Sequence, residues 1–123
     1  APVRPSIGYR IEAGGKAVVI AGDTVPCEGL DRLCAGAEVY VQTVLRRCIV
    51  EAVPMARMQD IMHYHSSIED AASTAAKAGV GTLVMTHLNP APWPGTEDEW
   101  IAEAGLIFAG EIVLAHDLWE LEV

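Results

Sequence analysis

Two apolar runs in this chain end on residues that can hold a metal ion or move a proton. VVIAGDT (18–24) stops on Asp23 and Thr24, and LVMTHLNP (83–90) carries Thr86 and His87. A carboxylate oxygen and an imidazole nitrogen both suit a zinc-like ion at ~2.0–2.2 Å. In an open α/β sheet, ligands gather beyond the carboxyl ends of the strands, so two such runs would deliver their polar ends to one edge. A plainer reading stays open, in which GDT is a turn and Asp23 caps local backbone amides.

HYHSS (63–67) holds two further histidines. His63 and His65 are two apart, so they face opposite ways on a strand and cannot share a helical face. His65 is the better candidate for the Asp23/His87 edge. It directly precedes Ser66, where a helix N-terminus would orient the ring and disfavour its imidazolium. The alternative for His65 is a structural hydrogen bond, and His116, in LAHDLW, reads as structural.

The elements that must position these residues follow from periodicity. IGYRIEA alternates apolar and polar residues, Gly14-Gly15 makes a turn, and KAVVIAG follows, which together predict a hairpin. EGLDRLCAGA places Leu30, Leu33 and Cys34 at helical spacing, and EVYVQTV reads as a strand. Residues 44–64 are interrupted by Pro54 and carry Met55, Met58 and Met62; they read as a loop with a helical piece. In HSSIEDAASTAAKAG, Ser66 and Glu69 predict a capping box. Ile68, Ala71, Ala72, Ala75 and Ala76 form one face, and Gly79 is the stop. TLVMTH lacks alternation, as a strand covered on both faces does. After the Pro-rich NPAPWPG, Thr96 and Glu99 predict a second capping box. It opens a helix through Trp100, Ile101, Ala104 and Phe108, closed by Gly110. EIVLA and LWELEV then read as two terminal strands. The order is that of an α/β sheet with packed helices.

Bulk properties narrow the function. The 123 residues fit one domain, 1–123, and the 51% hydrophobic content supplies a core. No apolar run approaches the ~18 residues of a membrane span, so a soluble chain is expected. The start, APVRPSIGYR, has no secretory pattern and no Met, and is read as processing or as a fragment of something longer. Net charge is −9 with only 8 basic residues, which argues against a broad nucleic-acid footprint on this chain. Cys27, Cys34 and Cys48 form no C-x-x-C pair. They are expected to be reduced thiols packed as small apolar residues in a cytoplasmic protein.

Taken in order, GYRIE, VVIAGDT, GAEVYV, HSSIEDAASTAAKAGVGTLVMTHLNP and FAGEIVLAHDLWELEV resemble the C-terminal half of the metallo-β-lactamase superfamily. The branch most alike holds ribonuclease Z and arylsulfatase-like hydrolases. The resemblance runs from Ser6 to the end, and its most specific marks are the GDT turn, the HSSIED helix start and the THLNP strand end. It implies half of an αββα sandwich, a mixed sheet with helices on one face. It also implies that Asp23 bridges two metal ions, that His87 ligates the second, and that His65 gives a proton to the leaving oxygen. The implied cofactor is a pair of zinc ions, which lower the pKa of a bridging water from about 15.7 towards ~7. The implied reaction is hydrolysis of a phosphodiester, sulfate ester or related ester. VQTVLRR stands where ribonuclease Z has an H-E-A-T-like sequence. That departure, and the Pro- and Trp-rich NPAPWPGTEDEW, look more like the arylsulfatase-like relatives. The acidic balance suits a small anionic or ester substrate.

The superfamily's H-x-H-x-D-H motif is absent from this sequence. One carboxylate and one imidazole cannot enclose a catalytic zinc, which normally takes three protein ligands. The chain is therefore expected to be inactive alone and to lack the N-terminal half of its site. Its inner sheet face is expected to be covered by that half or by a second copy. Two other readings stand beside this one. The first is a non-catalytic interaction or dimerisation module. The second is a metal-free α/β fold in which Asp23 and His87 are turn and core residues.

Overall fold

Strands β1 (Tyr9–Ala13) and β2 (Lys16–Ile20) pair antiparallel around Gly14-Gly15 in the computed structural model, which describes residues 4–123. The reading of the chain's start rests in part on residues 1–3, which lie outside the described residues. Both turn glycines have positive φ, 59° and 79°, which a two-residue hairpin demands and a side chain resists. Helix α1 (Glu28–Cys34) carries the chain over to β3 (Val39–Leu45), parallel to β2. Two short helices, α2 (Arg47–Ala52) and α3 (Ala56–Ile61), occupy most of the stretch expected to be largely loop. The two-residue β4 (Ser66–Ser67) then pairs with β3 and leads into α4 (Ile68–Ala78). Strand β5 (Thr82–Asn89) follows, then α5 (Glu97–Gly105) and β6 (Glu111–Leu114). Strands β3, β5 and β6 run parallel, and the order across the sheet is β1-β2-β3-β5-β6. This is the expected mixed sheet of an α/β fold.

Alternation assigns the two faces. Ala17 and Val19 of β2, Tyr40 and Val44 of β3, and Leu83 and Met85 of β5 join one buried cluster with residues from α1, α4 and α5. The helices supply Leu30 and Cys34, the small face Ile68, Ala71, Ala72 and Ala75, and Trp100 and Ala104. Small residues on α4 let it lie close to the sheet. The opposite face carries a row in register across every long strand: Tyr9, Ile20, Val41, Val84 and Val113. Val84 is buried at its centre, whereas Ile20, Ile11 and Tyr9 are 43%, 53% and 64% exposed at the β1–β2 end.

Several local expectations are corrected. The first capping box is shifted by one residue: Ser67 is the N-cap and Asp70 its partner, at 3.0 and 3.1 Å. Ser66 is withdrawn from that role because its backbone pairs with β3 and its hydroxyl donates to the Thr24 carbonyl. Ala76 is exposed, and Thr74 takes its place against the sheet. Thr96 does precede α5 but caps nothing, since its hydroxyl donates to the Trp93 carbonyl. That helix ends at Gly105, so Phe108 is buried from a loop, and Gly110 packs tightly on that ring instead of closing a helix. LWELEV forms no strand. After Ala115 donates to the Met85 carbonyl, a turn with Trp119 bonded to His116 and Leu118 at φ 64° leads the chain away from the sheet edge. Of the thiols only Cys34 is packed; Cys27 and Cys48 are exposed. No helix among the described residues is long and apolar enough to cross a membrane.

The two faces should respond differently to truncation. Leu83→Ala is expected to cost about 2–5 kcal/mol in urea unfolding, as for a well-packed core leucine. Ile11→Ala is expected to stay within about 0.5 kcal/mol; a loss well above that would mean the exposed β1–β2 end of the second face is covered in solution. Burial, helped by Asp31, pushes the Cys34 thiol up to about 12. At pH 8 a thiol reagent should label Cys27 and Cys48 in the native chain, and Cys34 only after unfolding. The same shift has a defined sign. Its folded value lies above the free thiol value of about 8.5, so Cys34 favours folding fully below that pH, and this contribution is lost as pH rises towards 12.

Candidate functional site

The carboxyl end of the sheet is irregular on both sides of β3. On one side, β2 follows β3 only as far as Ala21, whose amide bonds the Val41 carbonyl at 3.0 Å. The same edge is taken over by β4 at Val44 and Leu45. Between them lies the unpaired turn Gly22–Asp23–Thr24. Side chains hold it. Thr43 Oγ1 donates to Asp23 Oδ1 at 3.0 Å, Ser66 Oγ to the Thr24 carbonyl at 2.7 Å, and Ser6 Oγ to the Asp23 carbonyl at 2.9 Å. Gln42 Nε2 donates to the Gly22 carbonyl at 3.1 Å. Asp23 is thus a fixed turn residue whose side chain remains half exposed.

His65 arrives from the other direction, ahead of β4. Its Nε2 lies 3.5 Å from Asp23 Oδ2, while its Nδ1 donates to the Ile61 carbonyl at 3.2 Å. A carbonyl can only accept, so Nδ1 carries a proton and Nε2 is the atom presented to Asp23. The Tyr64 ring braces the imidazole at 4.9 Å between centroids. The ring is therefore oriented by α3 and Tyr64, and not by the α4 cap as the sequence suggested. His63 is exposed and lines the same cleft as Asp23, Thr24, Cys27 and Tyr64, with a volume of about 630 Å³.

On the other side of β3 the pairing to β5 slips. Thr43 faces Thr86 and Leu45 faces Asn89, so His87 and Leu88 together oppose Val44 alone. This is a β-bulge, and His87 has φ 46°, the left-handed region a β-strand residue avoids. The bulge leaves His87 exposed at the sheet end while Leu88 packs against the core. Asp23, in the turn after β2, and His87, on β5, consequently lie at the same level on opposite sides of β3, with that strand between them. Thr86 stays in the ladder, and Thr24 bonds only the Val25 carbonyl by its hydroxyl. His116 is exposed beyond β6.

Arg46, at the end of β3, fixes the bulged side. Its Nε and Nη1 bond Glu103 and Glu99 at 2.9 Å each, and its guanidinium lies 5.9 Å from the Trp100 ring. Its amide donates to the Asn89 carbonyl. The bond from Glu99 leads in raising its pKa, with Glu103 adding. Tyr40, Gln42, Thr43, Tyr64 and Arg46 were not singled out from the sequence. Among the described residues, no group of three or more His, Cys, Asp or Glu side chains could hold a metal ion.

With this geometry in view, the fold can be compared with solved structures. The chain superposes on the metallo-β-lactamase fold protein YhfI from Bacillus subtilis with a TM-score of 0.66 and 24% identity, over 88% of this chain and 39% of that one. On human tRNase Z, short form, the TM-score is 0.60 with 21% identity, over 91% and 35%. The architecture is therefore a partial metallo-β-lactamase fold. In sequence, the chain is 55% identical to ribonuclease Z of Mycobacterium tuberculosis H37Rv over 122 residues, 99% of this chain and 45% of that protein. It is 57% identical to ribonuclease Z of Mycolicibacterium paratuberculosis K-10, over 99% of this chain and 44% of that one. The resemblance read from the motifs is thus a homology to proteins named ribonuclease Z, and the chain spans about half the length of the curated relatives it matches. No family model matches the chain.

The bulge makes a stability prediction. His87→Gly removes a side chain from a left-handed residue and is expected to leave stability unchanged or raise it by up to about 1 kcal/mol. Thr86→Gly, one residue earlier in the regular ladder, is expected to lower it by about 1 kcal/mol. Urea denaturation of both variants checks the pair, and a larger loss at His87 would contradict the strained geometry.

Proposed function

We propose that this chain contributes Asp23 and His87 as metal ligands, and His65 as proton donor, to a metal-dependent phosphodiesterase. One observation carries the reading: Asp23, His65 and His87, from three separate segments, meet the same end of the parallel strands, with His65 Nε2 3.5 Å from Asp23 Oδ2. The donor chemistry fits a zinc-like ion in part. Asp23 is a carboxylate with one oxygen pinned by Thr43, and His87 is an exposed imidazole set off from the ladder. Two such ligands do not close a site. The remaining ligands, in this proposal, come from the part of the relatives' length that this chain does not span.

A bound pair of metal ions would supply Lewis acidity, lowering the pKa of an attacking water and offsetting charge on the attacking and leaving oxygens. The chain's own residues do the rest. The Thr43 bond stops the Asp23 carboxylate from rotating, so its second oxygen keeps one direction. The Ile61 carbonyl keeps a proton on His65 Nδ1. A second proton, on Nε2, is then the one available to a leaving oxygen at the cleft. The ribonuclease Z relatives favour a phosphodiester over a sulfate ester. With net charge −9, this chain offers little to hold a polyanion, so phosphate binding would fall to the metals and to sequence outside it. The exposed free thiols Cys27 and Cys48 suit the reducing cytoplasm.

A second reading rests on its own observation. The apolar row Tyr9, Ile20, Val41, Val84 and Val113 is a surface for another protein layer. We take that layer to be the rest of a longer protein or a second copy of this chain, and the fold alone could serve as such a module without catalysis.

Zinc content and hydrolysis of bis(p-nitrophenyl) phosphate, measured on a protein carrying this chain at the full length of its relatives, test the proposal. Asp23→Ala and His87→Ala should lose zinc and activity together. His65→Ala should keep zinc and lose about 10²–10⁴-fold in kcat. The 123-residue chain alone should show neither stoichiometric zinc nor turnover. Full zinc content in Asp23→Ala and His87→Ala would overturn the ligand assignment.

A further inference from the structure

Gln42 is fully buried, and both ends of its amide are hydrogen-bonded. The Tyr40 hydroxyl donates to its Oε1 at 2.7 Å. Its Nε2 donates to the Gly22 carbonyl at 3.1 Å and to the Thr43 carbonyl at 2.9 Å. These contacts sit in the interval where β2 has left β3 and β4 has not yet joined it. The last β2 amide bonded to β3 is that of Ala21, and the first paired residue of β4 is Ser66. The Gly22 carbonyl would otherwise face β3 with no backbone donor. A side-chain amide thus stands in for the missing rung of the ladder.

We infer that Gln42 is the positioning residue for Asp23, setting the direction of the metal-ligating carboxylate through the Gly22 carbonyl; this rests on the reading of Asp23 as a ligand. The turn is tied to β3 at consecutive points. Gln42 holds the backbone one residue before Asp23, and Thr43 holds its Oδ1 at 3.0 Å. With the backbone fixed by one and an oxygen by the other, the remaining oxygen has one orientation. The residue type is dictated by the partners: two carbonyls need two donors and a phenol needs an acceptor, which a primary amide supplies on one planar group. Glutamate at this position would set a carboxylate against two carbonyl oxygens. Asparagine would be a methylene too short, and an apolar residue would leave the Gly22 carbonyl with only the longer bond from Thr43 Oγ1 at 3.4 Å and take from the Tyr40 hydroxyl its buried acceptor. Tyr40 is in turn buried beneath α4, and burial leads in pushing its phenol pKa up, so the hydroxyl stays a donor throughout the ordinary pH range. The positioning chain therefore begins in the helix-facing core and ends at the carboxylate.

Gln42→Met and Gln42→Glu test the inference in the relative-length protein, with Tyr40→Phe as a milder variant should either fail to fold. Zinc affinity by chelator competition is expected to fall 10–100-fold in the Gln42 variants, as for outer-sphere partners of metal ligands. Tyr40→Phe should lower it about fivefold. The visible spectrum of the cobalt-substituted protein should shift in all of them, which a loss of overall stability alone would not cause. In the 123-residue chain, amide exchange at Asp23 and Thr24 should quicken while that of β5 stays unchanged. Wild-type zinc affinity and an unchanged cobalt spectrum in folded Gln42→Met would overturn the inference. If Asp23→Ala itself keeps wild-type affinity, the ligand reading fails instead, and the two failures are told apart by that control.

Discussion

Between Val41 and Val44 one edge of β3 has no backbone neighbour, because β2 has departed and β4 has yet to arrive. A buried strand edge cannot leave its polar groups unpaired without a cost of about 1–3 kcal/mol for each. This chain meets that constraint with side chains: Gln42 to Gly22, Thr43 to Asp23, Ser66 to Thr24. The same substitutions that satisfy the edge also define where the site can be. A continuous β2 would keep Asp23 in the ladder, pointing at one face or the other. Releasing the strand three residues earlier turns the carboxylate into the gap, and the gap is wide enough to admit His65 from the segment before β4.

The opposite edge of β3 is disturbed at the same level by a different device. There the partner strand remains, but an added residue puts His87 outside the regular register. The strain of a left-handed histidine is tolerated because the flanking positions are secured. Leu88 packs into the core, and Arg46 joins the end of β3 to Asn89 by its amide and to α5 by its guanidinium. That pair of carboxylates around one half-buried guanidinium does more than an isolated surface ion pair would, since Trp100 lies beneath it and Glu103 is mostly shielded. Gap and bulge are therefore two routes to one result: a polar side chain leaves an apolar strand at the same height on each side of β3.

How much of this could be read from the sequence depended on whether the cause was local. The hairpin was legible because Gly14-Gly15 between alternating segments has few other solutions, and α4 because its alanines repeat at helical spacing. The caps were misplaced by one residue or were absent because Ser66 and Thr96 had longer-range or competing partners, the Thr24 and Trp93 carbonyls. LWELEV alternates as an edge strand should, yet alternation specifies pairing only where a partner is available, and a turn at Leu118 intervened. For the site, residue type and motif order singled out Asp23, His65 and His87. The bulge at His87 and the role of Gln42 were illegible. Each is defined by register between strands far apart in sequence, and Gln42 in VQTV looks like an ordinary polar member of an alternating pattern.

The open face and the open site share a cause. The strands that present Asp23 and His87 at their ends also carry Ile20, Val41 and Val84 in one row, exposed at Ile20 and buried at Val84. A layer packed there would meet the site edge as it covered the row, so burial of the apolar face and completion of the ligand set would be one event. The hydrophobic contribution would come from residues such as Ile11, Ile20 and Tyr9, each still more than 40% exposed. A partner held there would bring its own side chains to the carboxyl end of β3, at a distance fixed by sheet packing of about 10 Å. Geometry at the site would then be set from both layers, which is a reason for the side-chain bonds around Asp23 to be made within this layer before any second one arrives.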